Sequence, residues 1–236
     1  MITKLDLKKD LKYLYNPSAK SVEEVEVPEF NFAMVEGVVP AGVKVAEAVE
    51  FVEALTALYG ISYTLKFAAK QRKSEPVDYP VMALEGLWWV EGDTFEFGKL
   101  QEQHFNLMIL QPGVVTADMF AEALEQLKKK KPSSGLEKLR FESFREGRCV
   151  QILHLGPYAA EQATIERMKV YMNEHNLVRN GHHHEIYLGD PRRAAPETCA
   201  QRAAPSSPRL FTRRDATISP RVNFSWLARI ARGRYR

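Results

Sequence analysis

VMALEGLWWV, residues 81–90, is a ten-residue run in which Glu85 is the only charge. Its short length and near-continuous apolar character predict a strand covered on both faces. Side chains four apart on a strand share a face, so Glu85 is expected to point the same way as Trp89. Gly86 beside it either leaves room for a ligand to approach or marks a bulge. Two readings of Glu85 compete. One is a strand end where the acid pairs with a lysine or meets water; the other is a carboxylate at the floor of an aromatic pocket.

Outward from this run, HFNLMILQ (104–111) reads as a second strand, stopped by Pro112 and Gly113. Upstream, Val25 and Val27 alternate with Glu24 and Glu26, and Phe30, Phe32 and Met34 follow at period two, giving two strands separated at Pro28 and Glu29. Val45, Val49, Val52, Leu55 and Leu58 predict a helix that continues through Tyr63 and Phe67 with a kink at Gly60. Thr116 is a candidate N-cap for a helix over 116–131, whose last turn, Lys128 to Lys131, suits the helix dipole. Pro132 to Gly135 resembles a linker. The order then recurs: a strand pair turning at Glu146 and Gly147, a helix opened by Gly156 and Pro157, and a short strand from His184 to Leu188. The reading is an α+β fold of two strand-strand-helix-strand modules, about 20–112 and 137–197, joined by the helix 116–131. Their antiparallel sheets are expected to surround a central cleft.

The second module carries Glu185 and Tyr187 on one face of its last strand, with His184, Ile186 and Leu188 on the other. Each module is thus expected to bring an acid and an aromatic residue to the cleft. A desolvated carboxylate there serves as a general base or acid, or neutralises a bound cation over aromatic faces. Trp88, Trp89, Tyr63 and Tyr158 are further candidate ligand-binding residues. His182, His183 and His184 alternate in direction along a strand, so the run is not expected to converge on a metal ion. No GxSxG, Walker loop, HExxH or dinucleotide glycine fingerprint occurs, and no cofactor is expected.

Charge divides the chain. Residues 1–189 hold 22 Lys and Arg against 27 acids, whereas 190–236 hold 11 Arg, no Lys and 3 acids. The body would repel a phosphate backbone, so nucleic-acid binding by it is not expected. There is no run of 18 apolar residues, no signal-peptide pattern at Met1 to Lys12, and only Cys149 and Cys199 as cysteines. A cytoplasmic protein without membrane span or disulfide framework is expected. The sequence assigns no oligomeric state.

KLDLKKDLKYLYNPSAK (4–20), ISYTLKF (61–67), LEGLWW (84–89), HLGPYAAE (154–161) and HHEIYLGDPRRAAPE (183–197) together resemble the GyrI-like small-molecule-binding family, more closely its stand-alone bacterial members. The resemblance covers about 1–197. It implies a GyrI/SOUL-like fold, a duplicated module with a ligand cleft on its pseudo-twofold axis. Members fused to a helix-turn-helix sense drugs by holding cations over a buried Glu; none is evident here. Some stand-alone relatives are hydrolases that open the cyclopropane of genotoxic alkylating compounds, which makes Glu185 and Tyr187 the implied catalytic residues, with Glu85, Trp88 and Trp89 shaping the site. The alternatives are a non-catalytic drug-binding or sensor domain and a module that binds a peptide partner.

After Glu197 the resemblance stops. Where relatives continue into an alternating last strand, this chain has TCAQRAAPSSPRLFTRRDATISPRV. An out-of-frame reading of the gene's end, or a fusion, would produce such a switch. The last strand is therefore expected to be disrupted and the tail 198–236 disordered.

Overall fold

The structure, a computed structural model, describes residues 1–92, 101–156 and 160–188 and the backbone of 221–226. In chain order the strands are β1 (Thr3–Lys4), β2 (Glu23–Val39), β3 (Val77–Asp78), β4 (Leu84–Trp89), β5 (Gln103–Gln111), β6 (Arg140–Gln151), β7 (Val178–Tyr187) and β8 (Arg221–Trp226). The helices are α1 (Leu7–Asp10), α2 (Lys12–Tyr15), α3 (Val49–Lys70), α4 (Ala117–Lys130), α5 (Ser134–Glu137) and α6 (Glu161–Glu174). Five strands form one curled antiparallel sheet in the order β6-β2-β5-β4-β7. The architecture is α+β, and β4 and β5, both read from apolar runs, lie within the sheet with a neighbour on each side.

The opening strands of the two modules are longer than expected. β2 runs without a break through Pro28, and β6 through Glu146 and Gly147. Val27 pairs with Gly147 and Glu29 with Arg145, so Pro28 removes one ladder N–H while its neighbours hold the register. Gly147 absorbs the local bend at a φ of 77°, open to glycine at no steric cost. Each module therefore opens on one long strand where two were expected. α3 passes through Gly60 as one 22-residue helix. Thr116 caps α4 as expected, its hydroxyl accepting from the Met119 N–H at 3.2 Å. The linker-like stretch contains the short helix α5.

Both faces of the sheet are covered, which is why β4 lacks polar alternation. The inward face lines the interior of the curl, where Val25, Val27, Phe32 and Phe144 meet Leu14 and Tyr15 of α2. Outside, Phe51 of α3 packs on Trp88 and Phe105, with ring centroids 5.9 and 5.6 Å away. Ile165, Met168 and Met172 of α6 pack on Val150 and Ile152. A fully buried side chain of this size contributes about 2 kcal/mol. Among the described residues no helix is long and apolar enough to cross a membrane.

The antiparallel sheet stops at five strands. Most of the tail expected to be disordered, 198–220 and 227–236, lies outside the described residues. Six of its residues depart from that expectation: β8 pairs parallel with β7 and, at one residue pair, with β6. The sequence RVNFSW alternates Val222, Phe224 and Trp226 with polar residues, a period-two pattern masked by its arginine-rich surroundings.

Candidate functional site

β4 and β7 lie side by side and antiparallel, with Leu84 opposite Tyr187, Gly86 opposite Glu185 and Trp88 opposite His183. Residues directly opposite one another share a face, so these six belong to one side of the sheet, the side on which Phe51 of α3 packs against Trp88. Glu85, opposite Ile186, and His184, opposite Leu87, turn to the interior. The expectation that Glu85 and Glu185 meet in one cleft is thereby corrected. The odd offset between them puts the two acids on opposite faces.

On the outward side the Trp88 Nε1–H donates to the Tyr187 hydroxyl oxygen at 3.0 Å, and the Tyr187 hydroxyl donates to Glu185 Oε2. His183 Nε2 lies 3.0 Å from Glu185 Oε1. Glu161, the first residue of α6, reaches the same place: ligating atoms of Glu161, His183 and Glu185 all lie within 4.8 Å of one another. Gly86 makes the arrangement possible. A Cβ there would stand 2.8 Å from Trp88 Nε1 and 3.1 Å from Leu107 Cδ2, so the indole occupies the space that glycine leaves. The room expected for a ligand is used by Trp88 itself.

All three acidic and imidazole groups are buried. Burial, reinforced by the charge of Glu185, pushes the Glu161 carboxyl up to about 9, so it holds a proton at neutral pH. Burial pulls His183 below the usual imidazole range, against the opposing pull of its bond to Glu185. A neutral His183 donates its Nε2–H to Glu185. Each Glu185 oxygen keeps a second lone pair, so the carboxylate still has capacity to accept a proton or a further hydrogen bond.

The inward side holds a second polar group. The Tyr15 hydroxyl donates to Glu85 Oε1 at 2.6 Å. His184 Nε2 stands 3.2 Å from Glu85 Oε2, and its Nδ1 lies 3.1 and 3.0 Å from the two oxygens of Glu146. Burial lowers the His184 pKa, but the charge and hydrogen bond of Glu146, and then those of Glu85, outweigh it and raise it to about 10. An imidazolium thus sits between two carboxylates inside the curl. The adjoining cavity is about 30 Å³, room for a single water and not for an organic ligand. Glu85 is therefore paired, with Tyr15 and His184 in place of the lysine considered from sequence.

Trp89 sits at the strand end, its ring stacked between His104 and His182 at 5.6 and 4.4 Å. Tyr63 is 47 % exposed on α3. Tyr158 lies outside the described residues. The three adjacent histidines do diverge: His182 meets Trp89, His183 faces outward and His184 inward. His183 nevertheless joins Glu185 and Glu161. The i, i+2 spacing of His183 and Glu185 was readable as a shared face; Glu161 comes from another element, with no local signal.

With this geometry in place, residues 20–201 match the GyrI-like small molecule binding domain. The chain belongs to the GyrI-like family. That span contains every residue of the outward and inward groups except Tyr15. The GyrI-like chain is similar to an uncharacterized conserved protein from Listeria innocua at 35 % identity and a TM-score of 0.72, covering 82 % of this chain and 94 % of that one. It is also similar to a hydrolase from Listeria innocua at 33 % identity and a TM-score of 0.68, over 82 % and 94 % of the two chains. A hydrolase encoded by lin2189 from the same organism gives 35 % and 0.71, over 83 % and 95 %. A comparison with curated proteins finds no match.

Proposed function

We propose that this GyrI-like protein binds flat aromatic molecules against Trp88 and Tyr187 and hydrolyses those that carry a strained cyclopropane conjugated to a carbonyl. Glu185 is the general base and Tyr187 the hydrogen-bond donor. The observation that carries the reading is the chain from the Trp88 N–H through the Tyr187 hydroxyl to the Glu185 carboxylate. Such a chain fixes a phenol beside a base before substrate arrives.

In the proposed step, water attacks a cyclopropane carbon and a C–O bond forms as the ring C–C bond breaks. The released electron pair moves through the conjugated system to the carbonyl oxygen, and Glu185 takes the proton from water. Tyr187 turns its O–H from Glu185 to the oxygen that gains charge, while Trp88 keeps hold of the phenol oxygen. Transfer of the proton from Glu185 to that oxygen closes the cycle, and the net change is addition of one water. Two of the similar Listeria innocua proteins are named hydrolases, which supports the reaction class. We place this activity in the cytoplasm, as detoxification of alkylating compounds.

A second reading, binding without turnover, is favoured by the family's description as small-molecule binding. Incubation with a cyclopropane-bearing alkylator followed by product analysis separates the two. Hydrolysis gives a ring-opened alcohol; a binder retains the compound intact.

A further inference from the structure

We infer that Glu161, His183 and Glu185 form a site for one first-row divalent metal ion, zinc by preference. The three side chains are 3 %, 2 % and 7 % exposed and come from two elements, the first turn of α6 and β7. Ligands about 2.1 Å from a tetrahedral ion stand about 3–4 Å from each other. His183 Nε2 and Glu185 Oε1 are already 3.0 Å apart, and an oxygen of Glu161 lies within 4.8 Å of their ligating atoms.

Glu161 supplies the independent observation. Its Oε1 is buried and has no hydrogen-bond partner among the described residues. A buried carboxyl oxygen without a partner is costly, and a metal ion that displaced the Glu161 proton would satisfy it. The charge that acts on Glu161 is that of Glu185, a like charge; the nearby guanidinium of Arg179 acts on His182 and His183. One imidazole and two carboxylates suit zinc better than magnesium or calcium, which favour all-oxygen shells. Three protein ligands leave a fourth position for water or a ligand oxygen.

Metal binding here does not depend on the hydrolytic reading. An ion would take the Glu185 oxygen that faces His183, so the loaded protein should lose the metal-free turnover proposed above. The two readings describe two states of one site.

The test is calorimetric titration of chelator-treated full-length protein with zinc and, separately, magnesium, with no organic ligand present. The expected result is one zinc per chain, micromolar or tighter, with magnesium at least about tenfold weaker. Glu161→Gln should weaken zinc at least about tenfold, whereas His175→Ala, at an exposed histidine, should not. Far-UV circular dichroism checks the fold of each variant. His183→Ala should weaken zinc likewise; should it fail to fold, the conservative Glu161→Gln still decides. Absence of stoichiometric zinc binding, or zinc affinity unchanged by Glu161→Gln, would overturn the inference and leave the turnover test untouched.

Discussion

Glu85 is 2 % exposed and belongs to the interior group with Tyr15, His184 and Glu146, away from the Trp88–Tyr187–Glu185 chain. Replacing it by glutamine keeps the volume and an oxygen for the Tyr15 hydroxyl but removes the charge facing His184. At 3.2 Å and an effective dielectric of about 20, the lost attraction is about 5 kcal/mol before the relief of carboxylate desolvation is counted. Breaking a buried pair outright costs about 3–5 kcal/mol. Because Glu146 still holds His184, the expected net loss is about 2–3 kcal/mol. Urea unfolding should show a lower midpoint at an unchanged slope. Affinity for a planar dye should stay within about twofold, since the side chain faces the interior. A stability change below about 0.5 kcal/mol together with a tenfold loss of dye affinity would refute this placement and return Glu85 to the ligand site.

Gly86→Ala would push a Cβ to 2.8 Å from Trp88 Nε1, so overpacking plus the lost bond to Tyr187 should cost about 2–4 kcal/mol in urea unfolding. A planar dye should quench tryptophan fluorescence saturably in the micromolar range; Trp88→Phe should remove most of the response and Trp89→Phe little. Tyr187→Phe should lower kcat by about 10²–10³-fold if the phenol supplies one donor to the developing oxyanion. His184 sits near 10 in the folded chain against about 6.5 unfolded, so its stabilising contribution is complete below pH 6.5 and fades as pH rises toward 10. Tyr15, raised by burial and then by Glu85, adds a loss of the same sign above pH 10. Urea midpoints of metal-free protein at pH 6, 8 and 10 check that decline, and a midpoint that rises across the series would contradict it.

The sequence made the middle of the sheet legible because burial on two faces leaves β4 and β5 as unbroken apolar runs. It misread the openings of both modules, because Pro28 and Gly147 act as breaks only when no partner strand holds the register. The shared face of Glu185 and Tyr187 followed from period two alone. That Trp88 joins them, and that Glu85 does not, depends on the offset between β4 and β7, which no local pattern encodes. Glu161, Tyr15 and Glu146 arrive from distant elements and had no signal of their own. For Glu161, an acid in the first turn of a helix is ordinary.

Product analysis of a cyclopropane-bearing alkylator in ¹⁸O-labelled water, with wild type and Glu185→Gln compared at matched occupancy, decides whether Glu185 is the base. The amide keeps the size of the side chain but cannot take the proton of an attacking water. Wild type should yield a ring-opened product carrying one labelled oxygen. Glu185→Gln should bind within a few-fold and lose turnover by about 10²–10⁴-fold. Wild type that binds the compound and returns it intact, or a variant that opens the ring at the wild-type rate, would contradict the assignment of Glu185 as the base.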